Sequence, residues 1–135
     1  MGAIMNGLAL TNFRPFGSTF LTFSDYLKPS LRNSSIMKLP VTYIFSHDEV
    51  TVGGDGVTHE PVEQLGMLRS IPNLDVYRPC DYKELIGVWN LILKNKKPSA
   101  LVISKEPTES YKFTSTMEVS YGAYVISEVK SIQEM

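Results

Sequence analysis

The chemistry-bearing side chains of this 135-residue chain are densest between Ser46 and Gln64. His47 and His59 frame the stretch, the acids Asp48, Glu49, Asp55, Glu60 and Glu63 lie in and around it, and Gly53, Gly54 and Gly56 loosen its middle. Histidine titrates near neutral pH, so imidazoles beside an acid suit proton transfer. Glycine lifts the steric limits on the backbone, so such a loop can close tightly around a ligand. Each residue also has a plainer use. An isolated histidine such as His47 more often caps a strand, and Asp55 between Gly54 and Gly56 suits an ordinary turn. His59 suits a place at or before the start of the next helix, with Glu60 and Glu63 favourable near its positive end. A metal site is disfavoured: His47 and His59 do not have a standard zinc spacing, and the single cysteine, Cys80, lies far along the chain.

The flanking patterns say where such a loop would stand. Val41 to Phe45 is β-branched and aromatic, a central strand, and Pro61 to Ser70 predicts a helix with Val62, Leu65 and Leu68 as its apolar positions. A loop leaving a buried strand sits at the carboxyl edge of a parallel sheet, where open α/β folds bind ligands. Ala100 to Ile103 predicts another strand, which delivers Ser104 and Lys105 to the same edge. Phe20, Phe23 and Tyr26 recur every third residue around a strand-to-helix turn. Taken alone they read as core; beside the motif strand they suit a pocket for a flat ring.

The remaining elements alternate in the same way. Met1 to Leu10 predicts a helix, Asn12 to Gly17 a turn-rich link, Ser18 to Phe20 a short buried strand, and Phe23 to about Lys38 a helix interrupted by Pro29. Leu74 to Tyr77 predicts a strand. Asp81 is an N-cap candidate, with Glu84 completing a capping-box pattern. Leu85, Val88, Trp89, Ile92 and Leu93 then mark an amphipathic helix to about Asn95, with Lys94, Lys96 and Lys97 at its negative end. Cys80 reads as structural, since nothing near it suggests a nucleophile's base. Strands alternating with helices predict an α/β fold, a parallel β-sheet flanked by helices. Beyond Glu106 the pattern fades, and residues 107–135 read as a linker and the start of a following segment, with a short strand or hairpin over Tyr121 to Val129.

Composition excludes several function classes. The length is about that of one domain, with 43% hydrophobic and 20% charged residues. A net charge of -1 gives no reason to expect nucleic acid or an anionic membrane as partner. One cysteine forms no internal disulfide, no apolar run approaches the roughly 18 residues of a membrane span, and no signal peptide is evident. The expectation is a soluble, cytoplasmic protein.

Gly54-Asp55-Gly56-Val57-Thr58-His59-Glu60-Pro61-Val62-Glu63-Gln64 resembles the GDGPTHQP(V/I)E signature of the transketolase family, and Ser46-His47-Asp48 resembles that family's THD. The likeness runs in register from Met1-Gly2-Ala3-Ile4-Met5-Asn6-Gly7 through Gly17-Ser18-Thr19-Phe20-Leu21 to Ile71-Pro72-Asn73-Leu74 and Arg78-Pro79. Related thiamine enzymes that make deoxyxylulose phosphate share GDGPTHQ but usually continue with Gly where this chain has Pro61-Val62-Glu63. Such a synthase, tested with pyruvate as donor, and a non-catalytic relic or interaction module are the two rivals.

The resemblance implies a thiamine diphosphate-binding, pyrimidine-domain fold over residues 1–106 and a two-carbon ketol transfer between sugar phosphates. It implies that Phe20, Phe23 and Tyr26 hold the aminopyrimidine ring and that His59 assists proton transfer at the reacting carbonyl. It makes Asp55 a ligand of a donor hydroxyl, and His47 and Lys105 ligands of the acceptor's phosphate. Lys105 stands where the family usually has arginine, Gly54 where it has Glu, Val57 where it has Pro, and Glu60 where it has Gln. The resemblance further implies a homodimer across the cofactor site, with Mg2+ and the diphosphate held by another domain. It puts the glutamate that activates the cofactor just before Met1, so the expectation is a partial chain, inactive alone.

Overall fold

Period-two alternation along the strands sorts the apolar side chains onto the two faces of one sheet. The computed structural model describes residues 1–126. Strands β1 (Phe16–Phe20), β2 (Thr42–Ser46), β3 (Asp75–Tyr77) and β4 (Ser99–Val102) are all parallel, in the order β1-β2-β4-β3. Helices α1 (Gly2–Leu10), α2 (Ser24–Ile36), α3 (Gln64–Arg69) and α4 (Tyr82–Asn95) complete the layers. Tyr43, Phe45, Ala100 and Val102 point to one face, where they pack with Met5 and Ala9 of α1, Leu31 of α2 and Leu68 of α3. Ile44 and Leu101 point to the other, against Val88, Ile92 and Trp89 of α4. The α/β parallel sheet flanked by helices is therefore the observed fold.

One polar network threads the larger core. The Tyr43 hydroxyl, on a fully buried residue, donates to Asn6 Oδ1 at 3.0 Å, and Asn6 Nδ2 donates to the Ser30 carbonyl at 2.9 Å. Burial raises the Tyr43 pKa, so the ring stays a neutral donor.

Several boundaries differ from the sequence expectations, each for a local reason. β1 begins at Phe16, inside the expected link, because it runs in register with β2 from Phe16↔Thr42 onward. It is an edge strand and half exposed, not buried. Pro29 sits inside α2 and does not delay its start; three residues of 3₁₀ turn, Leu21–Phe23, precede that helix. α3 starts at Gln64, leaving Pro61 and the 86% exposed Val62 outside it. The Gln64 side-chain oxygen accepts the Val62 amide at 2.8 Å and closes the turn before the helix.

Asp81 caps α4 as expected, accepting from the Lys83 and Glu84 amides at 3.1 Å each. The Glu84 carboxylate, however, reaches the Cys80 amide at 2.8 Å, one residue before the cap. Although Cys80 is exposed as a residue, desolvation around its sulfur and the neighbouring Glu84 push the thiol up to about 11, away from nucleophilic use. The segment after β4 packs on α4: Asp81 Oδ2 also accepts from the Thr114 hydroxyl and the Tyr111 amide, and Val119 joins the smaller core. The expected strand or hairpin over Tyr121 to Val129 is not found in its described part. Glu118–Tyr121 is a 3₁₀ turn ending at the left-handed Gly122, and no strand follows to residue 126; residues 127–129 lie outside the described residues.

Candidate functional site

Every residue singled out in the motif loop stands at the carboxyl edge of the sheet, because parallel strands deliver all their exits to one side. Phe20 ends β1, His47 follows β2, Arg78 follows β3 and Lys105 lies just beyond β4. Phe23 occupies the 3₁₀ turn before α2, which folds it back toward Phe20. The two rings are parallel within 4°, with centroids 5.8 Å apart.

Both histidines converge on these rings. The His47 imidazole stacks on Phe20 at 3.7 Å, and His59 approaches edge-on at 5.9 Å from Phe20 and 5.2 Å from Phe23. His47 has φ 62°, an uncommon left-handed conformation for a residue with a side chain, and its Nδ1 is 2.9 Å from the Ser46 hydroxyl. Held strain of this kind clusters at functional sites. The loop between them turns through a short 3₁₀ segment, Val50–Asp55, and the left-handed Gly56. The Gly56 carbonyl then accepts the His59 amide at 2.9 Å, fixing the histidine's backbone, while His59 Nδ1 meets the Thr58 hydroxyl at 2.9 Å.

Not every expected residue joins the cluster. Tyr26 touches Phe23 with a centroid distance of 6.0 Å, but it lies on α2, is 82% exposed, and no close ring pairing joins it to either histidine among the described residues. Asp55 and Lys105 are exposed at the same edge, and neither side chain makes a hydrogen bond or ion pair among the described residues. A Cβ at Gly54 would meet nothing within 4 Å, so the site tolerates the larger residue that the motif carries there.

Two carboxylates of the loop have roles that sequence reasoning did not reach. Asp48, its side chain only 3% exposed, pairs with Arg78, and its Oδ1 is buried without a hydrogen-bond partner among the described residues. Glu49 accepts from the Lys105 and Glu106 amides. Both bridges join residues 30 or more apart in sequence, so no local spacing could have signalled them.

The parallel Phe20 and Phe23 rings fit a planar heteroaromatic ring, which wants flat apolar walls with polar groups at its rim. The two imidazoles can hold or pass a proton at that rim. Among the described residues no group of three or more His, Cys, Asp or Glu side chains comes together to hold a metal ion. Among the same residues no helix is long and apolar enough to cross a membrane.

Comparison with known proteins follows the same lines. Residues 1–109 match the family described as transketolase, pyrimidine binding domain. A transketolase of Halalkalibacterium halodurans is 49% identical over 132 residues, covering 94% of this chain and 20% of that protein. Among solved structures, transketolase from Leishmania mexicana has a TM-score of 0.92 at 40% identity, covering 98% of this chain and 20% of that one. A Pichia stipitis transketolase in complex with sedoheptulose-7-phosphate has a TM-score of 0.89 at 31% identity, covering 96% of this chain and 20% of that one. The chain thus spans about a fifth of the length of the relatives it matches.

Proposed function

Because the chain belongs to the transketolase family through its pyrimidine-binding domain, we propose that it is one working face of a thiamine diphosphate-dependent ketol transferase. The whole protein moves a two-carbon ketol unit from a ketose phosphate to an aldose phosphate, as in the pentose phosphate pathway, and works in the cytoplasm. The observation that carries this reading is the convergence of His47 and His59 on the parallel Phe20 and Phe23 rings. That a Pichia stipitis relative forms a complex with sedoheptulose-7-phosphate supports the substrate class.

Thiamine diphosphate, when bound, supplies the electron sink for cleaving the carbon–carbon bond, a chemistry no side chain provides. This chain's residues bind and position. Phe20 and Phe23 stack on the aminopyrimidine, and Tyr26 closes its outer rim. His59 holds or delivers the proton at the reacting carbonyl and its hydroxyl, and the Gly56 bond to its amide keeps it there. Asp55 accepts a hydrogen bond from a donor hydroxyl. His47 and Lys105 meet the phosphate of the acceptor; lysine brings the charge without the planar fork of arginine, so its grip is less directional.

Residues 1–106 form the pyrimidine-binding unit, and 107–135 lead toward a following segment. The diphosphate and Mg2+ are held by another domain, across a homodimer interface, and the isolated 135-residue chain is inactive. The test is ketol transfer from xylulose 5-phosphate to ribose 5-phosphate by the complete polypeptide with thiamine diphosphate and magnesium. Transfer by the complete protein, none by this chain alone, and no turnover with pyruvate as donor are expected. A preference for pyruvate would move the protein to the deoxyxylulose-phosphate branch, and absence of transfer would leave a non-catalytic module.

A further inference from the structure

His47 is followed by two acids that tie its loop to different neighbours. Asp48 pairs with Arg78 beyond β3. Glu49 reaches the chain beyond β4: its Oε1 accepts the Lys105 amide at 2.9 Å and the Glu106 amide at 3.1 Å, and its Oε2 lies 3.0 Å from the Lys105 amide. Hydrogen bonds to an ionised acceptor are stronger than neutral ones, and these are the last that hold this part of the chain. The β2–β4 ladder ends where the Ile103 amide donates to Phe45, at 2.8 Å. Among the described residues, Glu49 supplies every hydrogen bond that residues 104–110 make.

The acid engages backbone amides, not the lysine's ammonium. Its charge is taken up by N–H groups, and the ammonium of Lys105 stays unpaired among the described residues. A lysine is a point charge on a flexible stem, so the place from which it reaches is set by its backbone. Displacement of a positioning group by about 1 Å is enough to cost large factors in rate or binding.

Resting on the reading above that Lys105 meets the acceptor's phosphate, we propose that Glu49 is the positioning residue for that contact. It fixes the Lys105 backbone to the His47 loop, holds the two phosphate-facing groups at one spacing, and so sets the preference for phosphorylated over unphosphorylated acceptors. The lost directionality of an arginine fork at 105 is thereby offset in the backbone.

The test uses the complete holoenzyme with Glu49→Ala and Glu49→Gln, and ribose 5-phosphate against unphosphorylated glycolaldehyde as acceptors. For Glu49→Ala, KM for ribose 5-phosphate rises roughly tenfold, equivalent to about 1.4 kcal/mol. Its kcat stays within about twofold, and glycolaldehyde kinetics do not change. Glu49→Gln, which keeps an acceptor oxygen without the charge, falls between. Hydrogen exchange supplies a readout free of activity: the Lys105 and Glu106 amides lose protection in Glu49→Ala while β2 keeps its own. Equal effects on both acceptors, no effect on either, or unchanged amide exchange would overturn the proposal. A wild-type protein without ketol transfer sinks the functional reading and this inference with it; an active wild type with an unselective Glu49→Ala sinks the inference alone.

Discussion

Replacing Asp81 with alanine removes one carboxylate that serves two parts of the molecule at once. Oδ1 caps α4 by accepting the Lys83 and Glu84 amides, and Oδ2 holds the segment after β4 through the Tyr111 amide and the Thr114 hydroxyl. Losing an N-cap costs about 1 kcal/mol. The Tyr111 amide loses its acceptor, at about 1 kcal/mol. The buried Thr114 hydroxyl exchanges a bond to a carboxylate for its remaining one to the Tyr111 carbonyl at 3.0 Å, at about 1 kcal/mol more. The total, about 3 kcal/mol, lowers the melting temperature by roughly 10 °C for a domain of this size. Asp81→Asn keeps one acceptor oxygen and loses the charge, so its loss is about half. Urea unfolding measures the totals, and amide exchange locates them, with residues 111–124 opening before the β2 strand. A cost below about 1 kcal/mol, or exchange that rises equally in β2 and in 111–124, would refute the bridging role assigned to Asp81.

Other expectations follow from the same geometry. Burial opposes ionisation of Asp81 and Glu84, but hydrogen bonds from Thr114 and the Glu84, Tyr111 and Lys83 amides, and from Tyr124 and Cys80, outweigh it and lower both pKa values. Their contribution is therefore fully present above the unfolded carboxylate range near pH 4 and is lost as pH falls through the folded values. Urea midpoints measured from pH 7 to pH 3 should drop, and the gap between wild type and Asp81→Asn should narrow. At Gly87 an added Cβ would come within 2.3 Å of the Thr116 carbonyl and 2.6 Å of Val119 Cγ2. Gly87→Ala should thus loosen residues 114–124 by about 1–3 kcal/mol despite alanine's better helix propensity, as read by limited proteolysis. Phe20→Ala deletes the stacks with Phe23 and His47. Titration of the complete enzyme with thiamine diphosphate should then show about tenfold weaker cofactor binding, at roughly 0.5–1.5 kcal/mol per aromatic pair.

What was legible in the sequence is what local rules decide. The β-branched run around Val41–Phe45 became the central strand β2, and Asp81 became a cap because its side chain bonds amides two and three residues away. The glycine motif announced a loop at the sheet edge, and parallel topology then brought Phe20, Phe23, His47 and His59 together. Long-range bridges were hidden. Glu49 meets Lys105 only because β2 and β4 are neighbours, a pairing that strand order sets and spacing does not reveal. The same blindness hid the contacts of residues 111–124 with α4, made through Asp81, Glu84 and the close approach at Gly87. Val62 misled for a smaller reason: an apolar residue at helical spacing looks like a core position even when Gln64 closes a turn in front of the helix.

The most direct test of the central claim is the rate of ketol transfer by the complete holoenzyme when His59 is changed to alanine. General acid–base assistance by a positioned imidazole is worth about 10²–10⁴-fold. A fall in kcat of that size, with cofactor affinity within a few-fold of wild type, is the expected result. Transfer within about threefold of wild type would contradict the assignment of His59 and, with it, the reading of the Phe20–Phe23 wall as the face where the chemistry occurs.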